Sequence, residues 1–387
     1  MKLFTQLTAV FCLILLSAVN PIAAFAQWST SPAIDNVITN AGGTQAGSVM
    51  VTDADRGAII AWQSKIDNNQ PSSLYVNRID KLGFLRWGTT GVEICSTMQR
   101  YDPKCAMASD LAGGAFIVWV DERLAPRYKI FGQHIDSNGT ALWQNQGVVV
   151  SDTAHAYSDL EPKIVLDDSG GLFVVFYHGD AISAQRINSN GTRRWTPADK
   201  AVTTPGGDDR GMKMVKDGSG VVVVWRSWGG NPITYPIMAQ RMDQDGNNLW
   251  FVPVTVASPG SQGGFTIAPD DSIAGGNKIV VAVAWTSNAT NKIYAQAIDT
   301  AGTLLWGSSP VPVCTFDGQH AYPRIINDRM HVGDSSSYYI TWLDGRRSGV
   351  NGDIRAQRLN ATGVPQWETD GMLISDKPNL FSNSSTR

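Results

Sequence analysis

The chain has 387 residues, a formal net charge of -3 and only 17% charged residues. That balance, with no run of Lys or Arg, excludes nucleic acid and anionic membrane surfaces as electrostatic partners. Thirty-eight glycines beside 43% hydrophobic residues fit turn-rich β structure rather than helices, on a length sufficient for a large core.

The first element is a predicted export signal over residues 1–26. Lys2 supplies a positive start, residues 7–19 a mostly apolar core, and Ala24-Phe25-Ala26 the small-x-small pattern of a cleavage site, with Gln27 as the first mature residue. The apolar stretch is short for a membrane span and no other reaches ~20 residues, so no membrane insertion is expected. Cys12 lies inside the apolar core without a small-residue cleavage site before it, which argues against a lipid anchor. The expected product is a monomer that is secreted, periplasmic or held at the cell surface.

From residue 27 the chain repeats itself. One tryptophan series closes a Gly-x-x-x-Trp motif: Gly83 to Trp87, Gly139 to Trp143, Gly191 to Trp195, Gly246 to Trp250, Gly302 to Trp306 and Gly363 to Trp367, with Trp28 one interval upstream. A second ends apolar runs at Trp62, Trp119, Trp225, Trp285 and Trp342, with Phe176 in the missing place. Twelve of the 13 tryptophans belong to these series; the other is Trp228. A fixed period of this length means one supersecondary unit repeated in space.

Each unit reads as four short strands. The first opens on Pro or Gly (Pro103-Lys104, Pro162-Lys163, Gly211-Met212-Lys213, Pro323-Arg324) and stops at Asp and Gly turn chemistry such as Asp167 to Gly171. The second is continuously apolar, as in Val221 to Trp225, the pattern of a strand buried on both faces. The third carries Ala-Gln-Arg, at Ala184, Ala239 and Ala356, followed by an Asx-x-x-Gly turn that supplies positive φ. The fourth is the Trp segment and its sequel.

Four antiparallel strands with two apolar faces, repeated six times, compose an all-β, six-bladed β-propeller; seven blades is the weaker alternative. The units run at about 28–87, 88–143, 144–195, 196–250, 251–306 and 307–375, with a polar tail over 376–387. Residues 28–38 form a seventh copy of the fourth strand, and a strand from one terminus completing a blade at the other would close the ring.

On these motifs the chain resembles a family of secreted bacterial repeat proteins whose units read Trp-x-Asp-x-Arg, then Ala-Gln-Arg-Ile-Asp-x-x-Gly-x-x-x-Trp. The resemblance covers nearly all of the mature chain and implies a propeller of unassigned function. The Asx-x-x-Gly-x-x-x-Trp turn is also distantly similar to the Asp box of sialidases, which is structural there; no arginine triad with a Tyr/Glu pair accompanies it.

Cys95, Cys105 and Cys314 remain after export. A Cys95–Cys105 bridge is open to an oxidising compartment, but Cys95 and Cys314 end matching strands and read better as small core residues. Turns such as Asp243-x-Asp245-Gly246 offer about three of the 6–8 oxygens calcium needs, so neither metal nor other cofactor is expected. The mid-strand Gln185, Gln240, Gln296 and Gln357 are expected to satisfy backbone groups at blade interfaces.

Binding candidates gather on one loop face. Asp121 with Arg123 and Asp344 with Arg346 follow the second strand; they either face a ligand or pin the loop as ion pairs. Arg100, Tyr101, His155, Tyr157, Arg210, His320 and Tyr322 lie in the loops entering the first strands, with Trp228 beside them. Aromatics among mixed charges suit a protein or carbohydrate ligand. The expected function is a non-enzymatic binding scaffold. A glycoside hydrolase using Asp121 with Glu161 or Asp344, at roughly 5–9.5 Å separation, is one alternative. A structural or adhesin fragment is the other.

Overall fold

The computed structural model describes residues 36–67, 71–98, 104–123, 128–152, 160–204, 209–227, 235–257, 262–270, 273–274, 277–287, 290–328, 337–346 and 352–375. Blade 1 is β1 (Thr44–Thr52), β2 (Ala58–Lys65), β3 (Ser72–Ile79) and β4 (Val92–Met98). Blade 2 is β5 (Cys105–Ser109), β6 (Ala115–Asp121), β7 (Lys129–Ile135) and β8 (Val148–Val149). Blade 3 is β9 (Lys163–Leu166), β10 (Leu172–His178), β11 (Ala181–Ile187) and β12 (Lys200–Ala201). Blade 4 is β13 (Arg210–Asp217), β14 (Gly220–Arg226), β15 (Ile237–Met242) and β16 (Val254–Ala257). Blade 5 is β17 (Gln262–Pro269), the short β18 (Ile273–Ala274), β19 (Asn277–Ser287), β20 (Lys292–Asp299) and β21 (Val311–Cys314). Blade 6 is β22 (Gln319–Asp328), β23 (Ser337–Gly345), β24 (Asp353–Leu359) and β25 (Met372–Ser375). The six antiparallel meanders make a six-bladed β-propeller, with the first strands of successive blades innermost and in contact.

Two polar devices recur because the sequence repeats them. At the first hairpin an Asp accepts backbone N–H groups with one oxygen and a third-strand side chain with the other. Asp167 takes Ser169 N at 2.8 Å and Gly171 N at 2.7 Å, then Arg186 Nε at 2.8 Å. Asp53 with Arg78 and Asp110 with His134 do the same. The glutamines form the second device. Gln185 Nε2 donates to Trp195 O at 3.0 Å while its Oε1 accepts from the backbone of Arg186 and Trp195. Gln133, Gln240, Gln296 and Gln357 repeat this. They satisfy backbone groups of their own blade rather than of an interface, because the Trp turn folds back beside the third strand.

Adhesion between blades comes from interlocked tryptophans. The ring of the Gly-x-x-x-Trp tryptophan of blades 1 to 5 lies under the glycine of the next blade's turn. A Cβ at Gly139, Gly191 or Gly363 would meet Trp87, Trp143 or Trp306 at 2.8, 2.8 and 2.5 Å. The indole Nε1 donates to the carbonyl two residues before that turn's glycine: Trp87 to Ser137, Trp143 to Ser189, Trp195 to Gln244, Trp250 to Thr300 and Trp306 to Ala361, at 2.8–3.3 Å. Burying each ring contributes on the order of 1.5–3 kcal/mol.

Five apolar cores lie between successive blades, from blades 1 and 2 through blades 5 and 6. Among the described residues no sixth core joins blade 6 to blade 1. On that edge Met50 of β1, Ile326 of β22 and Ile374 of β25 are 67%, 64% and 54% exposed. Residues 28–35 of the expected closing strand lie outside the described residues, as do the signal segment and the tail. Among the described residues, no helix is long and apolar enough to cross a membrane.

Candidate functional site

The face carrying the ends of the second strands and the starts of the first strands is built on two matching corners. In blade 2, Trp119 Nε1 donates to Asp121 Oδ2 at 2.9 Å, and Arg123 closes on the same carboxylate through Nε at 2.9 Å and Nη2 at 2.5 Å. In blade 6, Trp342 Nε1 donates to Asp344 Oδ2 at 2.9 Å, with Arg346 Nε on Oδ1 at 2.7 Å and Nη2 on Oδ2 at 3.0 Å. Both aspartates are buried. Arg123 lies over Phe131 at 4.1 Å and Arg346 over Phe316 at 4.4 Å. Burial pushes the Asp344 carboxyl up, but hydrogen bonds from Arg346 and Trp342 outweigh it and hold the group below the usual carboxylate value.

The indole acceptor has a third form in blade 4. Trp225 is followed by Arg226 and Ser227 rather than by an Asp two residues on, and its acceptor is Asp209, which also takes Ser227 and Thr203. Burial raises this carboxyl, and no cation pairs with it among the described residues. In blade 1, Gln63 and Ser64 follow Trp62, whose buried Nε1 has no acceptor.

The cysteines belong to the same corners. Cys95, Cys105 and Cys314 carry no disulfide; Cys95 and Cys314 are buried, and their thiols contact Asp121 Oδ2 at 3.7 Å and Asp344 Oδ2 at 3.8 Å. Burial pushes the Cys314 thiol up to about 11, so it is protonated at neutral pH. His320 Nε2 lies 2.9 Å from Phe316 O, and its Nδ1 lies 3.3 Å from Asp344 Oδ2, within ion-pair distance but not aligned for a hydrogen bond. Cys314, His320 and Asp344 thus bring three donor atoms within 4.8 Å of one another. A guanidinium already holds the carboxylate there, Arg346 Nη2 also approaches Cys314 Sγ at 3.8 Å, and blade 2 builds the corner without a histidine. The set is a buried structural corner, and its donors do not suit a cation. The turn carboxylates behave alike: Asp136 and Asp243 each engage one oxygen on two backbone N–H groups of their own turn.

Of the residues singled out from sequence, Asp344, Arg346 and His320 come together in blade 6, and Asp121 with Arg123 in blade 2. Arg210 is exposed at the start of β13, opposite Arg226. Tyr322 is 73% exposed at the start of β22, with φ of 53°. Arg100, Tyr101, His155, Tyr157 and Trp228 lie outside the described residues.

Sequence reasoning missed a set of cations near the axis. Lys163 pairs with Val175, Lys213 with Val224 and Arg324 with Thr341, each one residue before the aromatic that ends the second strand. All three therefore occupy one register position on the innermost strands of blades 3, 4 and 6. Two residues before each lies a positive-φ residue: Glu161 at 36°, Gly211 at 64° and Tyr322 at 53°. Such values are uncommon outside glycine and cost of order 1–3 kcal/mol. Lys104 Nζ meets Glu161 Oε1 at 3.0 Å, and Lys213 Nζ sits 5.7 Å from the Phe265 ring centre. Burial first, then the like charges of Lys163 and Arg324, hold the Lys213 ammonium below the ordinary lysine value.

No protein-family model matches the sequence, and no curated protein matches it either. Among solved structures the chain is similar to prolyl oligopeptidase B from Galerina marginata, with TM-score 0.47, 11% identity and 87% of this chain covered against 43% of that one. An α-L-arabinofuranosidase from Lactobacillus brevis gives 0.34 and 11%, covering 69% and 93%. A sialidase from Streptococcus pneumoniae gives 0.37 and 10%, covering 84% and 61%. The chain thus spans less than two thirds of the peptidase and of the sialidase. These likenesses carry no argument about what this protein does.

Proposed function

We propose that this protein is an exported, non-enzymatic propeller that binds a protein or a glycan through its loop face. One observation carries the reading. Each carboxylate that the sequence singled out for a hydrolytic mechanism is held by a cation: Asp121 by Arg123, Asp344 by Arg346 and Glu161 by Lys104. Asp121 and Asp344 are buried as well, which suits acceptors for an indole and a guanidinium rather than groups that exchange protons with a substrate. Beside them the exposed Tyr322 ring is held by a backbone conformation that its neighbours must over-determine, the kind of strain that clusters at ligand-contacting positions.

The test is a thermal-shift screen of the mature chain against glycans and peptides, run beside an assay of aryl-glycoside hydrolysis. A ligand-dependent rise in Tm that Tyr322→Ala reduces, with no turnover, is the expected result. Hydrolysis that Asp121→Asn or Asp344→Asn abolishes in a folded protein would replace binding by catalysis. Export is checked separately, by the N-terminal residue of the protein recovered outside the cytoplasm, expected to be Gln27.

A further inference from the structure

The innermost strands carry an imbalance of charge that the rest of the molecule does not share. The chain as a whole is slightly acidic, and its buried carboxylates are matched to cations or to several donors. Lys163, Lys213 and Arg324, in contrast, make no ion pair among the described residues; Arg324 donates to the carbonyl of Pro323. The one carboxylate that acts on Lys213 is Glu161, itself held by Lys104. Three cations at one register position therefore face one carboxylate, which Lys104 already holds.

Lys163 and Lys213 are half-buried and Arg324 is exposed beside them; like charges so placed repel, and the two lysines lose hydration that no anionic partner among the described residues replaces. Nothing in the fold requires them. The same register position is Ala106 in blade 2 and Thr266 in blade 5, paired with Val118 and Ala284. Long cationic stems in three of the six blades are thus a departure from the repeat, in contrast to the tryptophans, glutamines and turn aspartates that follow it. An anion between the strands would relieve the repulsion, and the partial burial of the two lysines would strengthen its hold on them. Arg324 offers a planar fork that suits a carboxylate, while the two lysines act as point charges. Tyr322, two residues before Arg324 and exposed at the rim, offers a flat apolar face of the kind that stacks on a sugar ring.

We infer that Lys163, Lys213 and Arg324, with Tyr322 at the rim, form a site for an acidic carbohydrate whose carboxylates enter the axial mouth of the propeller. The inference rests on the binding-scaffold reading and supplies its ligand class.

The test titrates the mature chain by calorimetry with four probes: a uronic-acid oligosaccharide, a neutral oligosaccharide of the same length, inorganic phosphate and an acidic peptide. The uronic-acid probe is expected to bind, and the neutral one to bind at least tenfold more weakly. Raising salt from 50 to 200 mM should weaken the complex several-fold. Lys213→Met should lower affinity at least tenfold, yet raise or preserve the Tm of the free protein, because it removes a like charge; a purely structural lysine would lower it. Arg324→Lys should retain more affinity than Arg324→Met. Phosphate or the peptide binding more tightly than the uronic-acid probe would overturn the carbohydrate assignment. Equal affinity of wild type and Lys213→Met, or no binding by any anion, would overturn the site. Neutral-glycan binding that Lys213→Met leaves unchanged would sink this inference while leaving the scaffold reading intact.

Discussion

Five junctions between blades and the edge between blade 6 and blade 1 are made from the same repeat, yet among the described residues only the five bury a core. At a junction such as blades 5 and 6, Trp306 is buried under Gly363, and Val313 and Cys314 of the outer strand are covered. At the edge, Trp367 is half-buried and lies tilted against Tyr339 of its own blade, while Met372 to Ile374 of the corresponding outer strand are exposed. The blade itself is intact there: β22 to β25 keep full pairing and Gln357 still braces its turn. Sheet formation and blade adhesion are therefore separate events in this fold. Hydrogen bonding completes the blade, and the tryptophan beneath the neighbour's glycine completes the core.

The contrast can be broken most directly at the rings. Trp195→Ala, at a closed junction, should cost about 3–5 kcal/mol, and Trp367→Ala no more than about 1 kcal/mol, read from urea unfolding. Comparable losses at both positions would show that the edge is covered in solution. Glycines give the next largest effect. Gly191→Ala combines positive φ with a Cβ 2.8 Å from Trp143 and should cost about 2–4 kcal/mol. Gly88→Ala has similar φ but open space around it and should cost about 1 kcal/mol. A smaller difference separates adjacent isoleucines on β22: Ile325→Val, inside the core, should lose about 0.5–1.5 kcal/mol, and Ile326→Val less than about 0.5 kcal/mol.

The smallest effects are those of pH on the two kinds of indole acceptor, and they have opposite sign. Asp344 is held below its unfolded value, so its contribution is complete above about pH 4 and is lost as pH falls through the folded value. Asp209 is raised by burial, so its ionisation opposes folding at neutral pH, and protonation relieves that as pH falls towards the raised value. Tm measured from pH 7 to pH 3 should fall less steeply in Asp344→Asn than in wild type. The Tm of wild type should approach that of Asp209→Asn as the pH is lowered. Parallel curves would show that neither carboxyl titrates differently on folding.

Much of this architecture was legible in the sequence because each device is local. The continuous apolar run ending at Trp225, the Ala-Gln-Arg strand and the Asx-x-x-Gly turn each announce one piece of a blade, and their recurrence gives the count. The partner of Gln185 was not legible, since it depends on a turn folding back across ten residues. Nor was the cation set, although a basic residue after the opening proline is visible at Lys104, Lys163 and Arg324. Alignment on that proline misleads. Lys104 lies opposite Val120, after Trp119, whereas Lys163 and Arg324 lie opposite the residue before the aromatic. Register is counted from the hairpin Asp rather than from the proline: Lys163, Lys213 and Arg324 stand four residues before Asp167, Asp217 and Asp328, and Lys104 six before Asp110. The exposed side chains on the edge of blade 6 were hidden for a different reason: a repeat count gives the number of blades but not whether the first meets the last.

The tryptophan interlock has a direction. In every junction the indole belongs to the earlier blade and the accepting turn to the later one. The stack of blades is thus polar, like a row of plugs and sockets, and its two ends are unlike. Blade 6 ends in a plug and blade 1 begins with a socket. A two-fold axis through that edge would set plug against plug, so the geometry used five times within the chain joins blades in one sense only.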